Sequence, residues 1–288
     1  MTETEPQNSL AITAITIENV KEISYPDVKS IVILFFVFIL YSVIVAIPGV
    51  ILMMSFDVII HNSLLLKSLF NLLVYLATLL ITIKYTIKKS KEKQGYYQTV
   101  SFRKIQLWLI PTIIVSTLAL FVLLEQSASW IPMPDSIKKF FEGAFRKDIF
   151  SIITIVIAAP ILEEILCRGI ILRGLLKNYP PYKAILISAL FFGLIHLDPW
   201  QAIPAFFGGL FLGWIYYKTQ SVIPGMIIHA TINSTATVFL FLPGSRQDLL
   251  SLWGLHYYLA ACFICVVIFT GACIIIHKKV VVVQKTGD

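Results

Sequence analysis

Ala159-Pro160-Ile161-Leu162-Glu163-Glu164-Ile165-Leu166-Cys167-Arg168-Gly169 sets three charged side chains inside an apolar run that extends from about 149 to 172. A helix rises about 1.5 Å per residue, so about 20 residues cross the hydrocarbon of a bilayer, and this run is long enough. The rest of the chain decides whether it is a membrane span or a buried core helix. Of the 288 residues, 58% are hydrophobic and only 14% charged, and the mean hydropathy is +0.85. Soluble domains carry about 25% charged residues. So little charge cannot cover a water-soluble body of this size. A cytosolic enzyme, a nucleic-acid-binding module and a disordered protein are excluded, which leaves an all-α polytopic membrane protein.

Eight apolar segments follow outward from that run, at about 31–54, 64–83, 105–124, 149–172, 183–197, 203–217, 222–242 and 252–276. Six reach spanning length. The fifth and sixth are short and flank Leu197-Asp198-Pro199-Trp200-Gln201-Ala202, a polar break. Two short helices joined there form a hairpin ending inside the bilayer. Irregular backbone at that depth is tolerated only when buried in protein or lining a wet cavity, so the break points to a site. With eight spans both termini share a side. That side collects 16 of the 23 Lys and Arg residues and the opposite side 6, with Arg168 inside a span. The positive-inside rule makes the richer side cytoplasmic.

Residues 1–29 are polar and hold no short apolar core, so no signal peptide is read there. On the outer side, Ile137, Phe140, Phe141, Ala144 and Phe145 recur at helical spacing after Pro134-Asp135, the pattern of a helix lying on the membrane surface. The cysteines, Cys167, Cys262, Cys265 and Cys273, all sit in apolar stretches, so a disulfide framework is not expected.

Charges at the bilayer centre cost about 2.5–3.5 kcal/mol each on insertion scales and are usually functional. Glu164 and Arg168 stand four apart on one helix face, the spacing of an ion pair, and read as a structural couple. Glu163 points about 100° away without a partner on its own helix. A carboxylate between burial and a nearby guanidinium suits a general base. Pro160 predicts a kink beside it. The fifth segment ends Phe191-Phe192-Gly193-Leu194-Ile195-His196, and the seventh carries His229 and Asn233 at i, i+4. Counted from the cytoplasmic ends, Glu163 lies roughly 14 Å deep, His229 about 10 Å and His196 about 20 Å, so the three can meet in one cavity. Gly209 and Gly213, four apart on the sixth segment, predict close helix packing.

Two chemistries fit this set. Glu163, His196 and His229 could hold a zinc ion with one position left for water. Alternatively, Glu163 assisted by His196 activates water directly, with no cofactor, while His229 and Asn233 donate to a developing oxyanion. An amide suits that second role, and no H-E-x-x-H is present. Both describe hydrolysis of a peptide bond in or near the membrane.

Glu163-Glu164-x-x-x-Arg168, Phe192-x-x-x-His196 and His229-x-x-x-Asn233, in this order on separate apolar helices, resemble the CAAX protease and bacteriocin-processing (CPBP, or Abi) family of intramembrane proteases over roughly residues 150–240. The resemblance implies that Glu163 and His196 activate the water, that His229 and Asn233 complete the site, and that Glu164 and Arg168 support it. Family members are described both as metalloproteases and as glutamate-dependent enzymes, and Asn233 favours the second. Cys167 departs from the Phe common before the family's Arg-Gly. The division is then 1–29, a cytoplasmic tail; 30–148, N-terminal spans and the interfacial helix; 149–242, the catalytic core; and 243–288, the last span and cytoplasmic tail. Short loops without organelle signals look bacterial, so the expected location is the inner (plasma) membrane. The expected partners are lipid and a membrane-anchored protein or peptide substrate, with no nucleic acid. A non-catalytic immunity or scaffold protein, or a proton-linked transporter, is the competing reading; the absence of an inverted repeat counts against transport.

Overall fold

Hydrocarbon leaves only a helix or a closed barrel to satisfy every backbone polar group, and apolar runs of about 20 residues suit the helix. The computed structural model describes residues 24–55, 63–97, 99–137, 147–241 and 248–281, and among them there is no strand. The helices are α1 (Val28–Ser55), α2 (Leu64–Gln94), α3 (Leu109–Leu124), α4 (Ile149–Asn178), α5 (Pro181–Leu194), α6 (Pro199–Thr219), α7 (Ile223–Leu240), the short α8 (Leu249–Trp253) and α9 (Leu255–Lys279). Each of the eight apolar runs forms a helix. Among the described residues, α1, α2, α4 and α9 are long and apolar enough to cross a membrane by themselves.

Several boundaries differ from the sequence reading, those of the third and sixth helices most for the site. The third helix begins at Leu109 rather than 105 and has 16 residues, because Gln106–Trp108 form a turn ahead of it. The sixth is not short: α6 has 21 residues. Asp198 caps it, accepting from the Gln201 N–H at 2.8 Å, and Pro199 occupies the first turn, where a missing N–H costs nothing. Most of the expected polar break is therefore the first turn of α6, and the true turn is Ile195–Asp198, with Leu197 at φ +62°. The fifth helix is short as expected, at 14 residues. The proposed surface helix falls mostly on residues 138–146, so Phe140, Phe141, Ala144 and Phe145 lie outside the described residues.

Helix α4 is the centre of the fold. It contacts α2, α5, α6 and α7, and its Leu166, Cys167, Ile171, Leu172 and Leu175 are fully buried. Outward faces carry Phe36, Leu73, Val115, Leu190 and Phe263, a lipid-facing surface. In lipid, packing rather than water exclusion holds helices together, so small residues matter. A Cβ at Gly209 would stand 3.2 Å from both Ala189 Cα and Phe192 Cδ1, and one at Gly213 would stand 3.0 Å from Ile185 Cγ2. The expected Gly209/Gly213 packing surface therefore closes the α5–α6 hairpin.

Asp148 anchors the start of α4. Its carboxylate accepts from the Phe150 and Ser151 N–H groups at 3.0 and 3.1 Å, from Ser151 Oγ at 3.0 Å and from Ser68 Oγ of α2 at 2.6 Å. Partial burial pushes its pKa up, but these four donors outweigh that and hold it below the ordinary 3.8. A depressed carboxyl stabilises the fold above its unfolded pKa and loses that effect as pH falls through the folded one. Asp148→Ala is expected to lower stability in detergent by about 1 kcal/mol at pH 7. In thermal melts the gap from wild type should shrink once pH drops below 3.8.

Candidate active site

The site is built around two wide turns in α4. Residues Thr154–Ala158 and Ile165–Leu172 are π-helical, on either side of Ala159–Glu164. In the first, the Ala159 N–H bonds to Thr154 O, five residues back. The next donor in that register is Pro160, which has no N–H, so Ile155 O loses its helical partner. Asn233 Nδ2 of α7 donates to Ile155 O at 2.7 Å. The kink expected at Pro160 is thus a π turn, and the carbonyl it frees fixes which way the Asn233 amide faces.

Glu163 and Glu164 leave α4 in different directions. Glu163 Oε1 accepts from the Tyr75 hydroxyl of α2 at 2.5 Å, while its Oε2 is buried and has no partner among the described residues. Glu164 is fully buried, and its Oε1 accepts from Arg168 at 2.7 Å and from His229 Nδ1 at 3.3 Å. Arg168 also donates to Gly209 O of α6 at 3.2 Å and lies 4.4 Å over the Phe192 ring. That ring in turn meets His196 and His229 edge-on, at 5.3 and 5.4 Å between centroids.

Both histidines have one nitrogen committed. His196, in the turn after α5, has Nδ1 2.8 Å from Phe192 O. A carbonyl only accepts, so Nδ1 carries the hydrogen and Nε2 keeps a lone pair. His229 Nδ1 likewise faces a carboxylate, which leaves its Nε2 free.

Glu163, His196, His229 and Asn233 line one cavity of roughly 510 Å³, together with Tyr75 and Gln201. A second cavity of roughly 300 Å³ shares His196, Gln201, His229 and Asn233 and is otherwise walled mainly by apolar residues of α3, α6 and α7. The structure thus brings four of the six sequence-selected residues to a common space. It sets Glu164 and Arg168 behind the wall. Among the described residues, no three His, Cys, Asp or Glu side chains gather as a metal site. Glu163, His196 and His229 as arranged do not converge on one ion, so no step is routed through zinc.

Tyr75 and Gln201 are absent from the sequence reading. Tyr75 had a signal, a phenol in the middle of an apolar run. Gln201 had another, three residues after Asp198 as in a capping box, and its Nε2 does donate back to Asp198 Oδ2 at 2.8 Å.

Residues 145–235 match the family model described as type II CAAX prenyl endopeptidase Rce1-like. Over that third of its length the chain is similar to the CAAX protease family. The matched segment runs from just before α4 into α7 and contains Glu163, Glu164, Arg168, His196, His229 and Asn233. Tyr75 lies outside it. No curated protein and no solved structure matches the chain.

Tyr75→Phe removes the one hydrogen bond that, among the described residues, orients the Glu163 carboxylate. Turnover of a membrane peptide is expected to fall roughly ten- to hundredfold, the scale of losing an orienting partner, with KM little changed. Unchanged turnover would show that Glu163 needs no such support.

Proposed function

We propose that the chain is an intramembrane endopeptidase in which Glu163 and His196 activate a water for attack on a peptide bond. The observation that carries this reading is the buried Glu163 Oε2, unpartnered among the described residues, in a cavity shared with His196, His229 and Asn233. A buried carboxylate oxygen without a donor is costly, and a water supplies the missing hydrogen bond. Tyr75 holds the other oxygen, so the free one faces its task at fixed geometry. His196 Nε2 is an acceptor for the same water, since Nδ1–H is spent on Phe192 O.

The proton taken from water passes to Glu163 as hydroxide adds to the carbonyl carbon. The carbonyl oxygen becomes an oxyanion, and donors aimed at that charge are the largest electrostatic help available. Asn233 Nδ2 has two hydrogens, one bound to Ile155 O and one left for the oxyanion. His229 presents its Nε2 edge as the second partner for the oxyanion; the Glu164 carboxylate at its Nδ1 holds the ring in place, as a buried carboxylate does in hydrolase triads. Collapse returns the proton from Glu163 to the leaving amine.

The substrate class is a membrane-anchored protein or peptide, reached from lipid. The basic-residue asymmetry supports a plasma-membrane location with both termini cytoplasmic.

Cleavage of a fluorogenic membrane-anchored peptide by the purified protein tests this. Glu163→Gln and His196→Asn are each expected to lower kcat at least about a hundredfold, the scale of a lost acid–base group, while melting like wild type. Full activity in both variants overturns the assignment. Chelation is expected to leave cleavage intact, whereas a loss restored by zinc overturns the metal-free route.

A further inference from the structure

Between the start of α3 and the ends of α6 and α9 lies a cavity of roughly 330 Å³ that the protease reading does not use. Arg103, Lys104, Lys218 and Lys279 line it, with the amides of Gln106 and Gln220. Among the described residues no acidic side chain is in its walls. The reason is in the sequence: Asp and Glu are absent from 93–124, from 199–247 and from 249–287, the stretches that build the cavity.

Lys218 is only 7% exposed, and its ammonium donates to His277 O at 3.1 Å. A buried ammonium needs more than one neutral partner to offset its lost hydration. The ends of α6 and α9 contribute about half a negative charge each. That is about one charge against four cations, one of them buried, so the cavity is strongly positive. Its walls are fixed in place. Ser221 Oγ donates to Arg103 O at 2.8 Å and the Val222 N–H donates to Ser101 O at 3.0 Å, tying the segment before α3 to the turn after α6. Lys279 lies 5.2 Å over the Trp108 ring, whose Nε1 donates to Gln106 Oε1 at 2.5 Å. Three helix ends, a tryptophan and a set of cations mark the level of lipid headgroups.

We propose that this cavity is a binding site for a phosphate-bearing anion, either the headgroup of an anionic lipid or free phosphate. Four cations around one pocket fit a phosphate group better than a carboxylate, and basic pockets between helix ends at the interface take such groups. The site is independent of the peptidase reading.

Native mass spectrometry of the full chain in detergent tests it, with phosphatidylglycerol, phosphatidylcholine and inorganic phosphate as probes. Phosphatidylglycerol is expected to be retained over phosphatidylcholine. The double variant Arg103→Gln, Lys279→Gln alters two exposed side chains, so folding is not at stake. It is expected to weaken phosphatidylglycerol binding roughly 30-fold, from about 1 kcal/mol per basic residue at an anionic surface. Lys88→Gln with Lys91→Gln removes the same charge elsewhere and should stay within about twofold of wild type, as exposed charges do. Competition by inorganic phosphate assigns the site to a free phosphate, and failure to compete assigns it to the lipid; both support the phosphate site. Equal retention of the two lipids, or an equal loss in the control variant, overturns it.

Discussion

A single buried carboxylate oxygen, Glu164 Oε1, takes hydrogen bonds from both Arg168 and His229 in a protein interior surrounded by lipid. Breaking such a pair by removing one partner typically costs about 3–5 kcal/mol, because the other charge is left buried and alone. The arrangement is therefore rigid, and it draws in four helices. Arg168 reaches Gly209 O on α6 and covers Phe192 on α5, while Glu164 holds His229 on α7. Gly225 fits the same point: a Cβ there would stand 2.5 Å from Glu164 Oε2. The ion pair does no chemistry in this scheme. It fixes where the helices that carry the chemistry can be.

The working side chains are placed by the backbone of α4 and its neighbours. Pro160 leaves Ile155 O unpaired, Asn233 satisfies it, and that bond orients the amide toward the cavity. Phe192 O orients His196, and Tyr75 orients Glu163. Glu163, His196, His229 and Asn233 each have one polar atom held by the fold. Such anchoring is how a wet site survives in hydrocarbon, where an unheld polar group would find some partner of its own.

Much of this was legible in the residues. The eight apolar runs became eight helices because hydrocarbon permits little else, and charged or imidazole side chains inside them stood out against that background. The Glu164–Arg168 couple followed from i, i+4 spacing alone. Tyr75 was hidden because a tyrosine in a span is often a packing residue, and only tertiary structure brings α2 against α4. The double use of Glu164 was hidden for the same reason, since His229 is 65 positions away. The π turns left no compositional trace beyond Pro160. The length of α6 was misjudged because hydropathy treats Asp198-Pro199 as a break, whereas as N-cap and first residue they start a helix. Those errors share a cause: apolar patterning reports which segments enter the membrane, not where capping starts them or which of their polar faces meet.

The structural role of the Glu164–Arg168 pair is tested most directly by a paired-variant measurement of stability and cleavage. Arg168→Met alone should melt far below wild type, by the few kcal/mol expected of an orphaned buried carboxylate. Adding Glu164→Leu should restore most of the lost stability while cleavage stays abolished, because His229 has lost its anchor. A double variant as unstable as the single one, or one that folds and cleaves at the wild-type rate, would contradict the central place given to this pair.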